Sequence, residues 1–191
     1  SAISSSKESE KSLTPLESSP EVISFIATPL FDIVDKLGGH IDILGDGIFS
    51  RGVLLDVARA LGRDWLNPGE AIFPEDLEAA EKAQGVEVGE GDILLVRTGH
   101  FKRLQAEGLQ PKGTWPGLNA GCLPWLHKRG VALLGCDSPN DVSPSGYTRP
   151  HHLPIHVVGM WAIGLWILDG CNHEDLTEMC ARLNRWDFLF T

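Results

Sequence analysis

The sequence has no apolar run long enough to cross a bilayer. Its longest, Pro154 to Leu168, falls short of the ~20 residues that a spanning helix needs, and it carries His156. Bases are scarce: 16 Lys and Arg stand against 26 Asp and Glu, a formal net charge of -10. Binding to a phosphate backbone rests on an excess of positive charge, so nucleic acid is not an expected partner, and neither is a membrane. Four cysteines are present, Cys122, Cys136, Cys171 and Cys180, and none forms a C-x-x-C pair. That weighs against a zinc knuckle or a redox motif and fits four reduced thiols in a cytoplasmic protein. No apolar segment of signal-peptide type opens the sequence, which agrees with that expectation.

Familiar catalytic templates are missing too. There is no G-x-S-x-G elbow, no G-x-x-x-x-G-K-[ST] loop, no H-E-x-x-H helix and no G-x-G-x-x-G fingerprint. Internal repeats are absent. What remains is a chain of 191 residues, 42% hydrophobic and 22% charged, enough to build the core of one large domain.

Residues 1–20 hold eight serines, two prolines and five charged residues, and are expected to form a tail that buries little. Residues 21–191 are expected to form one α/β domain, a mixed sheet with flanking helices. Val22 to Ile26, Val53 to Leu55, Ile93 to Val96, Val131 to Leu134 and Trp186 to Phe190 read as strands. Pro74-Glu75-Asp76 opens a helix that Gly85 stops, since a proline and two acids suit a helix N-terminus. Leu123 to Lys128 reads as a short helix ended by Gly130. Pro154 starts an apolar helix, and Glu174 to Leu183 reads as an amphipathic one. The six tryptophans read as core and pocket walls.

Three places carry residues suited to chemistry. In Gly38-Gly39-His40-Ile41-Asp42, a His and an Asp two apart share one side of an extended segment and can converge on a divalent cation. The same pattern also suits a glycine turn followed by a polar strand start. In the second place, His151, His152 and His156, imidazoles offer metal ligands or a general base near neutral pH. His156 falls in the first turn of an apolar helix, where it needs a partner or serves as a hydrogen-bonded core histidine. Asp169 is a candidate partner. In one straight helix the two would lie roughly 20 Å apart, so they meet only if the chain turns back, at Gly159 or Gly164. The third place is the loop Gly135-Cys136-Asp137-Ser138-Pro139-Asn140-Asp141 after a buried strand, where Asp137 either orients a ligand or caps the loop locally. His100, after the other buried strand, reads as a solvated loop residue.

Gly47-Ile48-Phe49-Ser50-Arg51-Gly52-Val53-Leu54-Leu55-Asp56 resembles a signature of the cyclase superfamily, which includes kynurenine formamidases and isatin hydrolases. The resemblance continues through Glu75 to Ala80, Gly91 to Gly99, Leu123 to His127, Gly135-Cys136-Asp137, Pro154-Ile155-His156 and Arg185 to Phe190. It implies a β/β/α fold and cytosolic homo-oligomers. It also implies metal-dependent hydrolysis of amide bonds in small aromatic or cyclic substrates, as in tryptophan catabolism to kynurenine. The implied cofactor is zinc or manganese, and the implied ligands are His40, Asp42 and His156. The family motif H-x-G-T-H-x-D is only partly matched. Gly38, His40 and Asp42 agree, but Lys36 stands where the first His belongs, Gly39 replaces Thr, and Asp46 stands where a further His follows. Asp42 lies nine residues before Arg51, which also suits a linker with the metal motif deleted. A truncated, non-catalytic binding or scaffold protein is therefore the alternative.

Overall fold

The computed structural model describes residues 47–109, 113–148 and 152–191. The serine-rich segment, the strand expected at Val22 to Ile26, His40, Asp42 and His151 lie outside the described residues.

The elements run β1 (Ser50–Asp56), α1 (Val57–Ala60), β2 (Ala71–Ile72), α2 (Pro74–Gln84), β3 (Ile93–Arg97), α3 (His100–Glu107) and β4 (Gly117–Leu118). They continue with α4 (Cys122–Arg129), β5 (Leu133–Cys136), α5 (Ile155–Ile163, wound as a π-helix), β6 (Trp166–Leu168), α6 (Glu174–Leu183) and β7 (Asp187–Phe190). Five strands form one sheet in the order β6-β5-β3-β1-β7. The first four are parallel, with Val53 opposite Leu94, Ile93 opposite Leu133 and Leu133 opposite Trp166. β7 closes the far edge antiparallel to β1, Phe188 opposite Gly52. The sheet is mixed and helix-flanked, as the sequence implies. β2 and β4 form a separate two-stranded ladder.

The continuous apolar runs of β1 and β3 follow from burial on both faces. Successive side chains point to opposite sides, so Val53, Leu55, Leu94 and Val96 face one core with Leu77 and Ala80 of α2, Leu123 and Leu126 of α4 and Ile155 of α5. Leu54, Ile93, Leu95 and Leu133 face the other, with Cys180 of α6 and Trp186. At ~25 cal/mol per Å² of apolar area removed from water, each such fully buried side chain contributes roughly 1.5–3 kcal/mol.

Three expectations need correction. The fifth strand runs Leu133–Cys136, two residues later than Val131 to Leu134, because the Val131 N–H closes α4 by donating to the Leu126 carbonyl at 3.2 Å. His100 is the first residue of α3 and is partly buried, not a solvated loop residue; burial lowers its pKa. The tryptophans divide: Trp125 and Trp186 are buried, whereas Trp161 on α5 is 60% exposed. All four cysteines are free, and burial pushes the Cys122 thiol up to about 12. Among the described residues no helix is long and apolar enough to cross a membrane.

Candidate functional site

Asn140 and Asp141 sit in the loop that leaves β5, and both are fully buried. Gly117 of β4 makes room for that loop. A Cβ at residue 117 would fall 2.6 Å from the Asp141 carbonyl carbon and 2.7 Å from the Val142 nitrogen. The Leu118 N–H donates to the Asn140 carbonyl at 2.7 Å, and the Trp115 indole N–H to the Asp141 carbonyl at 2.8 Å. The loop is thereby fixed from the β4 side.

From this position Asp141 reaches the start of α5. Its Oδ1 accepts the Ile155 N–H at 2.7 Å, and its Oδ2 accepts the His156 N–H at 3.1 Å. A carboxylate there satisfies amides that a helix N-terminus leaves unpaired, and it complements the helix dipole. The same Oδ2 lies 2.6 Å from His156 Nδ1. The other ring nitrogen, Nε2, lies 2.8 Å from Asp169 Oδ2.

The chain does turn back between His156 and Asp169. Gly164, at φ 73°, adopts the left-handed conformation that ends α5, and its N–H returns to the Gly159 carbonyl. β6 then runs alongside β5 and delivers Asp169 one residue past its end. Asn140 receives it: its backbone N–H donates to Asp169 Oδ1 at 2.8 Å, and its amide Nδ2 donates to the same oxygen at 2.7 Å. The site thus lies outside the carboxyl ends of parallel strands, where open α/β sheets place their ligands.

Exposure is graded across the three side chains. Asp141 is at 0%, His156 at 24% and Asp169 at 43%. Hydrogen bonding to Asp141, then to Asp169, raises the His156 pKa to about 9 against the opposing effect of burial. Burial on its own would raise the Asp169 pKa, but the His156 and Asn140 hydrogen bonds lower it overall. At neutral pH His156 is an imidazolium flanked by Asp141 and Asp169.

Other sequence candidates fall elsewhere. Asp137 caps α3: it accepts the Thr98 and Gly99 N–H at 2.8 Å, the His100 N–H at 3.0 Å and the Thr98 hydroxyl at 2.7 Å. Those four donors occupy it, and they come from residues 37 to 39 positions earlier in the chain, so Asp137 is a long-range cap of α3 and not the local loop cap expected. His152 precedes α5 with its Nδ1 buried and without a partner. Arg97, at the C-terminal end of β3, is buried between Asp56 at 3.0 Å and Glu174 at 2.8 Å and ties α6 to the sheet.

Once its ring gives up a proton, His156 has the surroundings of a metal ligand. A buried carboxylate holds Nδ1, which directs Nε2 outward beside a second carboxylate. His156 Nε2 and Asp169 Oδ2 therefore fit as two donors to one divalent cation. Among the described residues no group of three or more His, Cys, Asp or Glu is arranged to hold a metal. His40 and Asp42, the other two residues expected to ligate, lie outside the described residues. Asn140 and Asp141, which hold Asp169 and His156, are the residues of the candidate site that sequence reasoning passed over in favour of Asp137. An Asn-Asp pair closing a strand-end loop was the available signal.

The family model described as "Putative cyclase" matches residues 26–140. Among solved structures, a novel cyclase is 29% identical with a TM-score of 0.64, the match covering 74% of this chain and 46% of that one. Isatin hydrolase A from Ralstonia solanacearum is 20% identical with a TM-score of 0.52, over 67% of this chain and 49% of its own. An isatin hydrolase bound to the product analogue thioisatinate is 18% identical with a TM-score of 0.51, over 67% and 49%. No curated protein matches. The chain spans about half the length of the solved relatives it matches.

Proposed function

Because the chain belongs to the cyclase family, we propose that it carries the site of a metal-dependent hydrolase acting on amide bonds in small aromatic or cyclic substrates. The observation that carries this reading is the Asp141–His156–Asp169 relay, with ring-nitrogen contacts of 2.6 and 2.8 Å graded from a buried to an exposed carboxylate.

His156 Nε2 and Asp169 Oδ2 are the proposed donors of the described residues, and His40 and Asp42 the donors outside them. When bound, a zinc or manganese ion would supply Lewis acidity, polarising a carbonyl and acidifying water. The chain's own residues set the conditions. Asp141 keeps a proton on Nδ1, so that the Nε2 lone pair is the one available for ligation once the imidazolium loses a proton. Asn140 presents Asp169. Substrates of the kynurenine formamidase and isatin hydrolase kind have the required chemistry, a formamide or a strained cyclic amide on an aromatic ring. Family membership supports that class. A homo-oligomer acting on a small molecule in the cytoplasm is part of the same proposal.

A second reading has its own observation. Lys36 stands at the first ligand position of the family motif, and an ammonium group cannot ligate a cation. A metal-poor protein that binds without catalysis follows from it. The test is hydrolysis of N-formylkynurenine and isatin with added zinc or manganese, beside His156→Ala and the double variant His40→Ala, Asp42→Ala. Metal-dependent hydrolysis lost in both variants supports the hydrolase. No hydrolysis with either metal supports the binding protein.

A further inference from the structure

Asn140 is fully buried, and its amide is used asymmetrically. The Nδ2 group donates twice, to Asp169 Oδ1 at 2.7 Å and to the Leu168 carbonyl at 2.9 Å, while Oδ1 is buried without a partner. An amide that left its acceptor unpaired merely to fill space would lose on balance, because a buried carbonyl oxygen normally finds a donor. The two donations therefore set its orientation. Both go to consecutive residues at the end of β6, and one goes to the oxygen of Asp169 that does not face His156. With the backbone N–H also on Oδ1, that oxygen is occupied and Oδ2 is the one left for His156 Nε2. Asp141, the next residue, fixes the opposite side of the same imidazole.

We infer that Asn140 is a positioning residue whose amide fixes the rotation of the Asp169 carboxylate, so that two adjacent residues of one loop aim both members of the His156–Asp169 pair. The geometric part stands on the contacts above; its consequence for metal binding rests on the function proposed in the previous section.

The experiment is proton-detected NMR of the His156 ring in metal-free protein at pH 6, with the ring signals assigned by their loss in His156→Gln. Asn140→Ala removes the amide and leaves the backbone donor. The expected result is selective: the Nε2 proton exchanges with water at least about tenfold faster, while the Nδ1 proton, held by Asp141, is unchanged. Equal protection of both protons in wild type and variant would overturn the inference, whatever the variant does to the melting temperature. Where Asn140→Ala fails to fold, Asn140→Ser fills more of the space and still lacks the amide that reaches Asp169, and the same selective change is expected. Zinc titration adds the functional arm. Asn140→Ala should weaken binding about 10- to 100-fold in the wild-type background and leave it unchanged in an Asp169→Ala background. An equal loss in both backgrounds would show that Asn140 does not act through Asp169 and would overturn the inference. A wild type that binds no zinc contradicts the proposed function, and the ring-proton comparison still decides the role of Asn140.

Discussion

Asp141 and His156, 15 residues apart in sequence, are joined twice: the Asp141 carboxylate accepts both the backbone N–H and the Nδ1–H of His156, at 3.1 and 2.6 Å. One buried carboxylate thus both starts α5 and orients the imidazole that α5 presents. Fold and site depend on the same group, and variants at this position are expected to affect both.

Asp141→Asn keeps the shape and exchanges one acceptor oxygen for an amide donor that faces N–H groups. It should lower stability by roughly 2–3 kcal/mol, as expected for hydrogen bonds to a buried charged acceptor. Urea unfolding with an unchanged m-value is the measurement. A change below about 0.5 kcal/mol would show that Asp141 does not hold α5.

Gly117→Ala forces a methyl group to within 2.6 Å of the Asp141 backbone, where no flexible side-chain end can give way. A loss of about 1–3 kcal/mol is expected from overpacking. Thermal unfolding checks it. A variant as stable as wild type would mean the loop is free to move.

Removing Arg97 should be among the most damaging changes in the molecule. Arg97→Ala leaves the fully buried Asp56 with Arg59 as its remaining cation and cuts Glu174 from the sheet. Breaking a buried pair by removing one partner costs about 3–5 kcal/mol. A melting temperature within a degree or two of wild type would contradict the network's role.

These variants mark what the sequence made legible. The core strands were readable because burial on both faces writes a continuous apolar run, as in Ile93 to Val96. The helix at Glu174–Leu183 was readable because its apolar positions recur at helical spacing. The meeting of His156 with Asp169 was legible as a condition, that the chain turn back at a glycine, and Gly164 meets it. The roles of Asn140 and Asp141 were not, because their partners lie 14 to 29 residues away and neither residue type signals a long-range acceptor or donor. His100 misread for a related reason: the cap that starts its helix is Asp137, 37 residues downstream.

The charge state of His156 gives a pH dependence. Its folded pKa of about 9 lies above the ~6.5 of an unfolded imidazole. The stabilisation is therefore fully present below pH ~6.5 and is lost as pH rises through 9, a few kcal/mol at most. Metal-free wild type should lose stability across that window, and His156→Gln should lose markedly less. Parallel pH profiles for the two proteins would show that the carboxylates do not hold the imidazolium.

The central claim is that His156 and Asp169 donate to one divalent cation. The most direct measurement is calorimetric titration of zinc into folded wild type, His156→Ala and Asp169→Ala at pH 7.5, with unfolding curves recorded on the same samples. One equivalent bound by wild type, and affinity at least tenfold weaker in each folded variant, is the predicted result. Identical affinity and stoichiometry in all three proteins, or no zinc bound by folded wild type, would contradict it.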